Sequence, residues 1–478
     1  MSSKKSSKTS RREFLRNTAV ASSAFFIVPR HVLGRGFVAP SDKLQIAAIG
    51  CGGKGADDIN HFFASGNADI AYLCDVDDRS SAPIVKKFDK AKYFKDFREM
   101  LDKEHKHIDA VSVSIPDNCH AVAAMAAIML GKHVYVQKPM THDIYEARML
   151  TEAVKRYKVV AQMGNQGASN DGVRLMQEWY NAGLIGDATD IHVWTNRPVW
   201  PQGGPVPTST DPVPPELNWD LWQGPAMATT YHKEYLPFNW RGWWAYGTGA
   251  LGDMGCHLID PAFKTVGLGY PTEVECSVAT IFSTMWHPDY NPESCPMASI
   301  VKMKFPGKPG KPDVNLHWMD GGLQPDRPEE LGPDEVMGDT SGCGVIITGS
   351  KGKMMCGTYS DRPTLLPTSR MQGLNVPQTI TRVPGGAGGH YAQWVNACIA
   401  GYGKNELSSP FEYAGPLTET ILMGNLALRS HFVKDASGKK FTGRKKLLWD
   451  AANMKITNYD DANQFVKRTY RQGWSLGI

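Results

Sequence analysis

The sequence predicts an α/β protein in which an N-terminal, doubly wound parallel sheet precedes a larger α/β part built on a mostly antiparallel, open sheet. Strands and helices alternate over residues 43–166, a glycine-rich turn joins the first strand to the first helix, and the texture changes after Gln166. At 478 residues, 42% of them hydrophobic and 21% charged, the chain is long enough for two cores and has a globular composition.

Residues 1–34 stand apart from this pattern. A Lys/Arg-rich start leads into Ser10-Arg11-Arg12-Glu13-Phe14-Leu15-Arg16 and an apolar run from Ala19 to Val28, too short to span a bilayer. This is the layout of an export signal, and the arginine pair followed by Phe-Leu resembles the twin-arginine type. The expectation is a periplasmic protein; an uncleaved membrane tether is the other reading, because Val32-Leu33-Gly34 matches a small-x-small cleavage site only loosely. The formal charge of +4 originates here, since residues 1–35 hold eight Lys/Arg and one acid while the remainder carries 44 basic and 47 acidic residues. Such a balance recruits neither nucleic acid nor a membrane surface. Nine cysteines, an odd number with several in apolar runs such as IAYLCD, point to buried thiols without structural disulfides, because twin-arginine export moves folded proteins.

From residue 43, KLQIAAIGCGGKG reads as a buried strand over Leu44 to Ile49, then glycines and a helix start. Further strands follow in ADIAYLCDVDD, HIDAVSVSIP, HVYVQKP and VVAQMGNQ, with helices in AVAAMAAIML and IYEARMLTEAVKRY. Gly50-Cys51-Gly52-Gly53-Lys54-Gly55 fits G-x-G-x-x-G: one glycine for the tight turn, one for backbone approach to a pyrophosphate, one for close helix–strand packing. Asp75, twenty residues beyond Gly55 at the end of the second strand, is placed to accept the ribose hydroxyls of a dinucleotide. Its carboxylate repels a 2′-phosphate, so NAD is favoured over NADP, which Arg79 nearby keeps open.

After Gln166 come a helix (VRLMQEWYNAG), a strand (ATDIHVWTN) and a loop from Pro198 to Pro215 with seven prolines, read as a lid, an arm or a subunit contact. EVECSVATIF, ASIVKMKF, VNLHWMD and GVIITGS then alternate with Pro/Gly turns, and the end, YRQGW, reads as a docked tail. Nine aromatics crowd the 28 residues from Trp219 to Tyr246; sugar rings pack on such faces, and a plain aromatic core patch accounts for about half of them. Trp240, Arg241 and Trp244, with Asn165, are the candidate substrate contacts. In GALGDMGCHLID, Asp253 and His257 stand four apart, on one helical face, with Asp260 three further on. A carboxylate beside an imidazole serves a metal, a proton transfer or a buried hydrogen bond, and no His/Cys cluster at ligand spacing accompanies the pair.

Gly50 to Gly55, Asp75, Pro116-Asp-Asn-x-His120, Gly131-Lys-His-Val, Gln137-Lys138-Pro139 and Asp253-x-Gly-x-His257 occur in the order found in the Gfo/Idh/MocA sugar oxidoreductases, which most of residues 43–270 resembles. The resemblance implies a Rossmann domain at 43–166, a substrate-binding and oligomerisation domain at 167–478, a carbohydrate substrate and a homo-oligomer. It brings Pro116, Asn118, His120, Gln137 and Lys138 to the cofactor alongside Gly50, Gly52, Gly53, Lys54, Gly55 and Asp75. The family's usual tripeptide is Glu-Lys-Pro; with Gln137 in first place, Lys138 carries over as catalytic but a charge at 137 does not. The Asp253–His257 pair is then read as serving proton transfer rather than a metal: His257 as general acid/base, Lys138 as the cation facing the alkoxide, Asp253 as a hydroxyl acceptor and partner in the proton network, Asp260 as structural.

The function so implied is that of an exported NAD-dependent oxidoreductase acting on a secondary hydroxyl of a sugar or glycoside. A periplasm offers no soluble NAD pool, so the cofactor must stay bound and be regenerated in place. The alternatives are an NAD-dependent glycosidase that oxidises a ring carbon, usually C3, transiently, and, from another class, a catalytically silent sugar-binding protein, against which the retention of both Lys138 and His257 argues.

Overall fold

Strand β1 (Leu44–Ile49) is buried at five of its six positions, as a central strand covered on both faces must be. It pairs in parallel with β2 (Ala68–Cys74) and with β4 (Ala110–Val113). Adding β3 (Lys92–Phe94), β5 (His133–Val136) and β6 (Ala161–Met163) completes a six-stranded sheet of order β3-β2-β1-β4-β5-β6, parallel throughout. Strand β3 was absent from the expected series because three residues carry no readable alternation. The crossovers hold helices α1 (Gly53–Ala64), α2 (Asp78–Lys87), α3 (Phe97–Glu104), α4 (Asp117–Met129) and α5 (Ile144–Tyr157), the last opened by a capping box between Asp143 and Glu146. Strand order reverses between β1 and β4, so their carboxyl ends border a crevice. The computed structural model describes residues 43–477, and the expected export signal, residues 1–34, lies outside them.

Helix α6 (Asp171–Asn181) leads into a second sheet of nine strands. These are β7 (Ala188–Trp194), β8 (Glu273–Val278), β9 (Ser299–Phe305), β10 (Val314–Met319), β11 (Gly344–Gly349), β12 (Gly352–Cys356), β13 (Thr364–Leu366), β14 (Leu447–Asp450) and β15 (Lys455–Ile456). Their order is β13-β12-β11-β7-β10-β9-β8-β14-β15, and every pair is antiparallel except β7 with β10. Between β7 and β8 lie the proline-rich loop, the short α7 (Trp219–Gln223) and α8 (Gly249–Val266), which crosses the second sheet.

Two later helices tie the sheets together. Helix α9 (Gly386–Ala400) lies within the stretch expected to form the C-terminal domain, yet it packs Tyr391 and Trp394 against Phe62 of α1 and Tyr135 of β5, with Phe62 and Trp394 rings 4.9 Å apart. Helix α10 (Phe411–Ser430) touches α5, α8, β8 and β9, and is buried almost all round for that reason. All nine cysteines are free, eight of them buried. Among the described residues no helix is long and apolar enough to cross a membrane.

The chain end docks through a buried ionic knot. Arg468 donates from Nη2 to Glu146 Oε1 at 2.6 Å and to the Asn118 carbonyl at 2.5 Å, and from its backbone N to Asp143 Oδ2 at 3.1 Å; Tyr470 Oη donates to Glu146 Oε1 at 2.8 Å. Glu146 is fully buried and Asp143 nearly so. Removing the guanidinium leaves two carboxyls without their cation, so Arg468→Met is expected to cost about 3–5 kcal/mol in chemical denaturation, and a loss under about 1 kcal/mol would show that the knot is not held by charge.

Candidate active site

The glycine turn is shaped by contacts on both sides. Gly50 has φ +90°, and a Cβ there would meet the Ser114 carbonyl; one at Gly55 would meet the Gly50 carbonyl. Gly53 faces open space, and α1 starts with no side-chain cap, so its first turn presents backbone N–H groups to whatever lies before it. These features fit a dinucleotide's pyrophosphate, an anion that a helix N-terminus attracts.

Asp75 closes the turn. Its Oδ2 accepts from Cys51 N at 2.7 Å and its Oδ1 from Asp77 N at 2.9 Å, which anchors the glycine loop to the end of β2. Each oxygen keeps a second lone pair for a ribose hydroxyl. Arg79 is bound to Asp77 through Nε at 2.8 Å and Nη2 at 2.6 Å, so the nearby cation is already matched and the local charge is acidic, which suits NAD.

At the end of β5, Lys138 Nζ donates to Asp253 Oδ1 and to the Asp253 carbonyl, each at 2.8 Å, and Arg241 Nε lies 3.3 Å from the same carboxylate oxygen. Burial pushes the Asp253 carboxyl up, but Lys138 and Arg241 outweigh it and hold it at about 2. One turn along α8, His257 is 5% exposed, and its Nδ1 has no hydrogen-bond partner. Burial, then the Lys138 charge, pulls its pKa well below the ordinary histidine value. The imidazole is therefore neutral at neutral pH and has proton-accepting capacity that the protein does not use.

These groups border one cavity of about 980 Å³ that also takes in Gly50, Gly52, Gly53, Lys54, Asp75, Pro116, His120, Gln137, Trp240 and Arg241. Within it three of the expected cofactor contacts, Lys54, His120 and Gln137, also have partners in the protein. The ammonium of Lys54 lies 3.1 Å from Asp58 and 2.7 Å from Tyr391 Oη, and His120 places its ring nitrogens 2.7 Å from the carbonyls of Ile115 and Pro139, joining the turns after β4 and β5. Gln137 Nε2 donates at 2.8 Å to Asp58 Oδ2, a fully buried carboxyl that also accepts from Ser114 Oγ.

Four expected site residues do not border the cavity. Gly55 packs α1 on β1. Asn118 is fully buried, donating from Nδ2 to the Gln223 carbonyl at 2.8 Å; its neighbour Asp117 faces the cavity instead, accepting from Thr248 Oγ1 at 2.6 Å. Asn165 lies behind α8, with Nδ2 3.4 Å from the Cys256 carbonyl. Trp244 belongs to the main core beneath Arg429, because it is Trp240, stacked 4.3 Å from the Arg241 guanidinium, that turns to the cavity. Of the nine aromatics, Trp222, Tyr231, Phe238 and Trp240 border the cavity, and most form a satellite core. Asp260 accepts from Tyr413 Oη at 2.6 Å, away from the cavity.

Asp117 and Tyr359 were not singled out in the sequence. Burial pushes the Asp117 carboxyl up to about 6, although Thr248, Arg241 and Lys138 oppose it. Tyr359 rests edge-on against His257 at 4.7 Å with φ +60°, an uncommon backbone state for a bulky residue. Among the described residues no group of three His, Cys, Asp or Glu is placed to hold a metal ion.

Comparison with known proteins gives two family matches, both within residues 44–281. Residues 44–165 match the family model for GFO_IDH_MocA, described as oxidoreductase family, NAD-binding Rossmann fold, and residues 187–281 match that for the family's C-terminal alpha/beta domain. A levoglucosan dehydrogenase of Pseudarthrobacter phenanthrenivorans is 26% identical over 194 residues, 41% of this chain and 40% of that protein's length. A glycosyl hydrolase family 109 protein of Shewanella is 31% identical over 121 residues, 23% of this chain and 26% of that one. The chain thus spans less than half the length of the curated relatives it matches in sequence. The WlbA dehydrogenase of Bordetella pertussis, solved with NADH and UDP-GlcNAcA, shares the fold with a TM-score of 0.54 at 17% identity, over 80% of this chain and 95% of that one.

Asp75→Ala removes both the ribose acceptor and the anchor of the glycine turn. NAD affinity by calorimetric titration is expected to fall about 10- to 100-fold, as for loss of hydrogen bonds to a charged group, with a narrowed preference over NADP. Unchanged affinities for both dinucleotides would place Asp75 away from the ribose.

Proposed function

We propose, on the match of residues 44–165 and 187–281 to the two models of the Gfo/Idh/MocA oxidoreductases, that the chain belongs with them and moves a hydride between a secondary hydroxyl of a sugar or glycoside and a tightly bound NAD. The observation that carries this reading is the convergence of Lys138, Asp253 and His257 on the same cavity as the glycine turn. We further propose that the protein is exported by its twin-arginine-type leader, that it divides at residues 166/167, that it forms a homo-oligomer, and that C3 of the ring is the first position to test.

NAD, when bound, supplies the hydride acceptor for the carbinol carbon. The glycine turn and Asp75 would hold the dinucleotide, in the same cavity as Lys138. Lys138, fixed on Asp253, directs a further ammonium hydrogen at the substrate oxygen and stabilises the negative charge that grows there. His257 removes the hydroxyl proton as the hydride leaves, and returns it in the reverse direction. Arg241, Trp240 and Phe238 offer a cation and apolar ring faces to the sugar.

The match to glycosyl hydrolase family 109 favours a second reading, in which the ring is oxidised, the aglycone eliminated and the ring reduced again. Incubation with a panel of glycosides separates the two: a keto-sugar with NADH marks a dehydrogenase, free sugar without net NADH marks the redox glycosidase, and neither product from any glycoside would overturn both.

The pH dependence follows from His257. Its lowered pKa keeps the base form populated through neutrality, so kcat/KM for alcohol oxidation should be flat around neutral pH and fall only below the ordinary histidine range, as protonation removes the acceptor. His257→Asn should lower turnover about 10²-fold or more and abolish that acid limb. Near-normal turnover with an unchanged profile would refute the acid/base role.

A further inference from the structure

The cavity runs from Lys138 at the carboxyl end of β5 to the ends of β2 and β3. Three strand spacings separate β2 from β5, about 14 Å, which suits an extended dinucleotide laid across the switch point. With the reactive ring at Lys138, the adenosine half falls beyond Asp75. There the wall is drawn from three distant stretches: Lys95 and Phe97 at the start of α3, Leu221 and Trp222 of α7, and Trp474, four residues from the end of the chain.

Trp474 is held in place. Its ring centroid lies 6.1 Å from that of Phe97, and the Arg98 guanidinium sits 4.3 Å over it. On one side of it Leu476 is buried. On the other, Arg471 donates from its backbone N to the Pro225 carbonyl at 3.1 Å and from Nε to the Gly224 carbonyl at 2.9 Å, and pairs with Asp220 through Nη1 at 2.5 Å. The α7 segment is in turn fastened across the end of β2, where Asn218 N donates to the Val76 carbonyl at 2.9 Å and Asp78 N to the Glu216 carbonyl at 3.2 Å. The chain end, α7 and the end of β2 are therefore bonded into one rim around the place where adenosine falls.

We infer that residues 471–476 form a strap closing the adenosine end of the cleft, with Trp474 as an adenine-contacting wall, and that this strap makes the bound dinucleotide slow to exchange. Adenine has apolar faces and a polar edge, and Trp474 with Phe97 supplies aromatic surface for the faces. A dinucleotide enclosed in this way leaves only when the Arg471 latch parts from α7. The inference rests on the proposed dinucleotide reading and adds a property to it: retention suits an oxidoreductase that works away from any nicotinamide pool.

Exchange of bound nucleotide tests it without reference to turnover. Protein carrying NAD is chased with excess deuterium-labelled NAD, and the nucleotide retained after desalting is read by mass spectrometry. Trp474→Ala should exchange at least about 10-fold faster than the native protein, the effect of losing one base-stacking ring, and Arg471→Ala should do likewise through loss of the charged hydrogen bonds to Gly224 and Asp220, also at least about 10-fold. Asp220→Asn alters only a carboxylate that is 74% exposed, leaving the fold intact, and should speed exchange by about 2- to 5-fold. Native exchange rates in all three variants would overturn the strap and leave the dinucleotide reading standing. A native protein that neither carries NAD nor takes it up would overturn both.

Discussion

The site depends on one buried ion pair that spans the two sheets' layers, Lys138 at the end of β5 and Asp253 on α8. Either charge alone would be strongly destabilising in a cleft that leaves each side chain only 16% and 13% exposed. Together they are tolerated, because the ammonium is bonded to both the carboxylate and the carbonyl of Asp253, and Arg241 adds a second cation to the same oxygen. Lys138 and Arg241 share one oxygen of that carboxylate, and the Asp117 carboxyl borders the same cavity. Burial first, and then the Lys138 charge, keeps His257 neutral, while Asp253 acts against both. The ion pair thus fixes the cation of the proposed chemistry, and burial sets the charge state of the proposed base.

The chain departs from Glu-Lys-Pro without losing a carboxyl group near the turn. Gln137 donates to Asp58, which lies on α1 and is also approached by Lys54 and Ser114. A buried acid therefore stands one hydrogen bond behind position 137, on the helix that begins the glycine turn. Lys54, which the glycine motif alone would send toward a phosphate, is engaged by Asp58 and Tyr391, the latter from a helix that returns from the far half of the chain.

What the sequence revealed, and what it hid, divides along the range of the interactions. Residues whose placement is set within one turn or one strand were legible: the glycine loop, Asp75 at the end of β2, and Asp253 with His257 on one face of α8. Residues whose roles depend on distant partners were not. Asn118 and Asp117 are adjacent at the start of α4, and their contacts with Gln223 and Thr248, both distant in sequence, accompany which one faces the cavity. Trp244 follows Trp243 in an aromatic-rich stretch where composition cannot tell a core face from a cleft face. Tyr359 comes from a loop with no pattern at all, brought to His257 by close packing on Gly167 and Gly172. Strand β3 was too short to see, and α9 carried no sign that it would return to the first sheet.

The central claim is that one cleft holds a dinucleotide within hydride reach of a sugar hydroxyl. Mass spectrometry of the nucleotide released on denaturing the protein, purified directly from cells that express the full chain, tests it most directly. The account predicts NAD or NADH in a one-to-one ratio with the chain. Protein that releases no nucleotide, and binds none when titrated with NAD, would contradict it.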